Sequence, residues 1–218
     1  MQRSWIDRLE RRFGEWGIPN LALFIVGMNA GIWVLTRAKP EFARLLPLEP
    51  ALVFEGQVWR LFTFIFIPPR LSPLWLFFWL YLLYIYAQAL ENEWGEFRFN
   101  LFYGIGAAAT AAVSLILGVG LSNVPLNTTI FLSFAALYPD FELLLFFILP
   151  VKVKWLAWLA WAGIAWGFAA GGWVTRLALA AGLLNYAVFF GRRHLEAIQH
   201  WLRVRRNRRR YWKAFKDD

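Results

Sequence analysis

Five apolar segments constrain what this chain can fold into. Residues 21–36, 74–90, 99–119, 155–170 and 173–190 each approach the roughly 20 residues that carry a helix across about 30 Å of hydrocarbon. None contains Asp, Glu, Lys or His, and their only Arg is Arg176, at the start of the last. A sixth apolar segment, 126–138, covers only about 20 Å as helix and cannot cross alone. Its approach, 118–125, is uncharged and rich in Gly, Ser, Asn and Pro. Irregular backbone cannot face lipid, because each unsatisfied polar group there costs several kcal/mol. The short helix is therefore expected at the centre, walled by the others, with its leading loop dipping into a wet cavity.

Composition agrees with a membrane domain. Hydrophobic residues make up 60% and charged residues 17% of the 218-residue chain, against roughly 45–50% and about 25% in soluble domains. The expected organisation is an amphipathic N-tail over 1–20, a six-helix membrane domain over 21–190 and a basic C-tail over 191–218. The N-tail does not read as a signal peptide. Trp5, Ile6, Leu9, Phe13 and Trp16 recur at helical spacing among four Arg, as in a short interfacial helix. Residues 37–73 are expected to lie in the membrane interface. Their apolar run, 58–67, is interrupted by Arg60, too short to span, and bracketed by prolines.

Charge placement supplies a topology. With six crossings and the N-terminus inside, 17 of the 23 Lys/Arg fall on the inner side. Only Arg37, Lys39, Arg44, Arg60, Arg70 and Arg176 fall on the outer side. The positive-inside rule favours this arrangement, with both termini cytoplasmic in a multi-pass protein of a bacterial inner membrane. Omitting the short helix would move the C-tail and its ten cations outside. The net charge of +9 is thus better explained by membrane topology and anionic lipid than by nucleic acid. The C-tail reads as a basic helix, with Leu195, Ile198 and Leu202 along one side, anchored on anionic lipid. Small residues predict close helix packing at Gly163, Gly167 and Gly171, at Gly104/Ala108 and at Ala178/Gly182.

Several chemistries lack their residues. With no Cys there is no disulfide, thiolate metal site or Cys nucleophile. Both histidines, His194 and His200, lie in the C-tail, so no metal site or other cofactor is expected. The absence of Asp, Glu and His from the spans counts against ion-coupled transport. The intramembrane polar residues are Asn29, Gln88, Thr110, Ser114, Asn127, Thr128, Thr129, Ser133 and Asn185. For the hydroxyls, bonding back to the helix or across to a neighbour is the ordinary expectation. The run Asn127-Thr128-Thr129 stands apart, because it collects amide and hydroxyl groups where the cavity should be, although N-capping accounts for one or two of them. Ser133 has no candidate base. Charges cluster instead in the turn 91–98, across which Glu91 and Arg98 are expected to pair.

Three stretches carry a resemblance. The first is Gly56-Gln57-Val58-Trp59-Arg60-Leu61-Phe62-Thr63. The second is Leu90-Glu91, Gly95 and Arg98-Phe99, and the third is the link 134–158. In this order and topology they resemble the rhomboid superfamily over about 21–190. The resemblance implies an all-α fold, a six-transmembrane-helix bundle with a short central fourth helix. It also gives Trp59, Arg60, Glu91, Gly95, Arg98 and Phe99 structural roles. Active members cut transmembrane substrates with a serine in a Gly-x-Ser-Gly motif at the head of the fourth helix and a histidine in the sixth. Here 122–129 reads SNVPLNTT, Ser122 lacks flanking glycines, and 178–182 is apolar. The resemblance thus implies an inactive relative, as derlins are, with no catalytic residues. Such a protein would bind transmembrane segments of client proteins in a groove carrying Ser122, Asn123, Asn127, Thr128, Thr129, Ser133 and Asn185. Two other readings stay open: a divergent intramembrane serine protease, and a small transporter or lipid-perturbing protein.

Overall fold

The computed structural model describes residues 5–145 and 149–214, and the structure is nearly all-α. In chain order the helices are α1 (Trp5–Phe13), α2 (Leu21–Ala38), α3 (Phe42–Leu45), α4 (Pro50–Phe54), α5 (Arg60–Thr63), α6 (Pro73–Trp94), α7 (Glu96–Leu117) and α8 (Val124–Leu137). A hairpin of β1 (Glu142–Leu145) and β2 (Leu149–Lys152) follows, then α9 (Val153–Ala170) and α10 (Trp173–Ala214). Helices α2, α6, α7, α9 and the Trp173–Arg192 part of α10 are long and apolar enough to cross a membrane. The chain is a multi-pass membrane protein. Helix α8, with 14 residues, reaches about 21 Å. It packs against α6, α7, α9 and α10, the central position expected of it.

Buried residues of α2, α6, α7 and α8 form the main core: Ile25, Ala87, Leu90, Phe99, Phe102, Leu126, Ile130 and Phe134. Outward faces stay apolar, with Trp155, Trp158, Leu159 and Trp166 of α9 all exposed. Lipid rather than water is the solvent that such a surface matches.

Contacts define two ends of the bundle. At one, Glu91 of α6 bonds the start of α2, Glu93 accepts from Tyr138 just beyond α8, and Trp94 packs against Phe189 and Phe190 of α10. The hairpin joins α9 at this end too, where Val153 N donates to Phe141 O. At the other end, Asn123 before α8 bonds Ile65 and Ile67.

The turn 91–98 differs from expectation. Helix α6 runs on to Trp94 and is stopped by Gly95, whose φ of 83° suits glycine. Glu91 therefore lies inside the helix and does not pair with Arg98. Its carboxylate accepts the Leu21 and Ala22 backbone N–H groups at 2.7 and 3.1 Å. These are among the orphan donors of the first turn of α2, and a buried carboxylate satisfies them better than an exposed pair across the turn would. Arg98 instead holds α1 through Asp7 and Glu10, at 3.0 and 2.7 Å.

The link 134–158 holds a further surprise, an antiparallel hairpin pairing Glu142 with Lys152 and Leu143 with Val151. Among the small residues, Gly163 and Gly104 face open space. Gly167, Gly171 and Gly182 are close approaches as expected, and Gly106 and Gly120 are two more outside that set. Spacing defines a helix face but does not say which face has a neighbour. The segment 37–73 does form short non-spanning helices. Helix α10 runs without a break past residue 191, where the sequence reading set the start of the tail. Arg3 lies outside the described residues, and the stripe Leu195, Ile198, Leu202 lies outside the described side chains.

Candidate functional site

The head of α8 is fixed on three sides. Asn123 Nδ2 donates to the carbonyls of Ile65 and Ile67 at 2.9 and 3.0 Å, tying it to the segment between α5 and α6. Pro125 lies directly against Gly182 of α10, where no Cβ fits. Asn185 of α10 donates to Thr129 Oγ1 at 2.9 Å, and Thr129 donates on to the Leu126 carbonyl. Gly106 of α7 packs close to Leu126 and Asn185.

The segment behind this junction is pinned by Arg60. The residue is 2% exposed, and its guanidinium donates to Gln57 Oε1, the Pro47 carbonyl and the Arg44 carbonyl at 2.8, 2.8 and 3.0 Å. Trp59 Nε1 donates to the Leu45 carbonyl at 3.2 Å. Phe99 is fully buried beneath the start of α7. Arg60 and Trp59 thus hold the segment between α2 and α6 by hydrogen bonds to its own backbone.

The remaining side of α8 opens on a cavity of about 700 Å³. It lies between α6, which contributes Trp79, Leu82, Leu83 and Tyr86, and α9, which contributes Ala160. Its floor is Ser122, Asn123, Val124, Asn127, Thr128 and Phe131, and residues 67–70 close one end, with Arg70 the only charged group among the described lining residues. The volume falls in the range of ordinary ligand sites. Thr128 donates back to the Val124 carbonyl. Asn127 Oδ1 is buried and has no hydrogen-bond partner among the described residues. An acceptor left this way invites a donor from an occupant or a water.

Of the seven expected groove residues, Ser122, Asn123, Asn127 and Thr128 meet at this cavity. Thr129 and Ser133 do not, because the helical turn points them toward the packed side of α8, and Asn185 faces that same side from α10, bonded to Thr129. Ser133 is fully buried, and its Oγ has no partner among the described residues. The apolar wall Trp79, Leu82, Leu83 and Tyr86 escaped the sequence reading. It follows helical spacing, but α6 is apolar all round, so periodicity carried no contrast. Asn123, read as a loop residue, is the N-cap of α8 and caps nothing with its side chain. The cavity can hold apolar chains and offer them a few amide and hydroxyl contacts.

Among the described residues no group of three His, Cys, Asp or Glu gathers as a metal site would require. No protein-family model matches the chain, and neither does any curated protein sequence.

Proposed function

We propose that this is a rhomboid-like membrane protein without protease activity that binds transmembrane segments of other membrane proteins in the cleft between α6 and α9. The observation that carries this reading is the cleft itself. It has an apolar wall on α6, Ala160 of α9 opposite, and a short polar strip on the recessed α8. A transmembrane helix brings apolar surface for the walls, and its occasional polar groups find Asn127 and Ser122. Interhelical hydrogen bonds of this kind contribute about 0.6–2 kcal/mol each.

The inactive reading is supported by the neighbourhood of the two serines. Ser122 lines the cavity with no histidine, lysine or carboxylate among the other described lining residues. A serine nucleophile needs a base within hydrogen-bond reach. The orientation belongs to the same proposal: the end bearing α1, Arg98, Lys152, Lys154 and the extension of α10 faces the cytoplasm, and α8 counts as the sixth crossing.

The test is reconstitution in liposomes with model transmembrane substrates and a serine-directed probe. The expected result is intact substrate and no labelling. Labelling that disappears in Ser122→Ala or Ser133→Ala would overturn the proposal in favour of a divergent protease.

A further inference from the structure

Helix α1 sorts its charges by side. Asp7 and Glu10 turn toward α7, where Arg98 holds both. Arg8, Arg11 and Arg12 are exposed, and none pairs with a carboxylate among the described residues. Arg12 sits 5.4 Å over the ring of Phe13. Exposed Trp5 and Trp16 flank this basic face, at 48% and 81% accessibility. The acidic half of the helix is thus spent on the protein, and the basic and aromatic half is presented outward.

The depth of that face is fixed as well. Asn100 of α7 clamps the backbone of Ile18 from both directions, donating to its carbonyl and accepting from its N–H, each at 3.0 Å. Gly17 passes against Phe97, where an added Cβ would lie 3.3 Å from the backbone nitrogen. Helix α1 is therefore held at the first turns of α7 and just before α2, where two helices of membrane-spanning length begin. That is the level of lipid head groups, where Trp is favoured and Arg meets phosphate.

We infer that α1 is a binding surface for the head groups of anionic phospholipids, created by the pairing of Arg98 with Asp7 and Glu10. Charge complementarity selects this occupant. Three guanidiniums at head-group depth, with no carboxylate partner among the described residues, attract anionic lipid by about fivefold for each basic residue. Without Arg98, the Glu10 carboxylate would offset one of the three cations. The site is separate from the cleft between α6 and α9, so it stands or falls independently of client binding.

The chain has no native Cys, so Glu15→Cys gives a single labelling position beside the basic face. The labelled full-length protein is reconstituted in vesicles. Its fluorescence is quenched in turn by head-group-tagged phosphatidylglycerol and by equally tagged phosphatidylcholine. The expected preference for the anionic lipid is about fivefold or more. It falls toward one in the triple variant Arg8→Gln/Arg11→Gln/Arg12→Gln, whose positions are exposed and do not hold the fold. It also falls in Arg98→Gln, which leaves all three outward cations in place. Equal quenching by the two lipids in the parent protein would overturn the inference. So would a preference unchanged in the triple variant, which would assign the lipid to another element such as the basic extension of α10.

Discussion

Replacing Glu91 by Ala should loosen the start of α2 more than any other single charge removal at this end of the bundle. The carboxylate is 4% exposed and accepts two backbone N–H groups at 2.7 and 3.1 Å. Hydrogen bonds to a charged group contribute about 1.5–3 kcal/mol each, and the freed amides have no other acceptor among the described residues. A favourable interaction with the positive end of the helix dipole adds a few tenths to 1 kcal/mol. Some of the loss returns as water reaches the freed donors, so a net destabilisation of about 3 kcal/mol is expected. Glu91→Gln keeps one acceptor oxygen and loses the charge, and should cost about half as much. Reversible unfolding in mixed micelles with a rising SDS fraction measures both, and amide exchange at Leu21 and Ala22 localises the effect. Exposed Glu15→Ala serves as the control. A Glu91→Ala variant within about 0.5 kcal/mol of the parent would refute the capping argument. The same titration on Glu91→Ala/Arg98→Gln should show additive losses, because the two side chains have separate partners.

Arg60→Met removes the buried donors that hold three partly buried acceptors and should destabilise the protein by about 1–3 kcal/mol in the same titration. Gly182→Val forces Pro125 away from α10 at about 1–3 kcal/mol, whereas Gly163→Ala, open on its face, should fall within about 0.5 kcal/mol. A double-mutant cycle on Thr129→Val and Asn185→Leu should return a coupling of about 0.6–2 kcal/mol; a value near zero would deny the hydrogen bond its role. The Asp140 carboxyl is held below the ordinary carboxylate range by a hydrogen bond and charge from Lys154, then from Lys152. A depressed folded value means its stabilisation of the hairpin junction is present above the unfolded pKa. It is lost as pH falls through the lower, folded one. Carboxyl-carbon NMR should find that low midpoint, and Lys154→Gln should raise it.

The spanning helices were legible in the sequence because hydrocarbon thickness sets a length that local composition must meet. The recessed α8 was legible for the same reason, as a segment too short for that length. Arg60 and Phe99 were recognised as motif residues, but their anchoring partners were not, since backbone carbonyls leave no trace in side-chain patterns. The Glu91–Arg98 pairing was inferred from proximity in the chain. The actual partners of Arg98 lie 88 and 91 residues away, a distance over which sequence spacing is silent. The hairpin arose in an apolar run that periodicity cannot assign between strand and helix. Thr129, Ser133 and Asn127 share one short helix, and only the packing of α10 against it decided which of them face the cleft.

The central claim is a cleft between α6 and α9 that receives an intact transmembrane segment. Site-specific photocrosslinking tests it most directly, with the reactive group placed at Thr128 on the cavity floor and the full-length protein in its native membrane. Peptide mapping should identify adducts on apolar, membrane-spanning segments of uncleaved partner proteins. A matching probe at Trp166, on the lipid-facing side of α9, should not enrich them. Adducts to lipid alone, or to partner fragments ending at the crosslinked segment, would contradict the account.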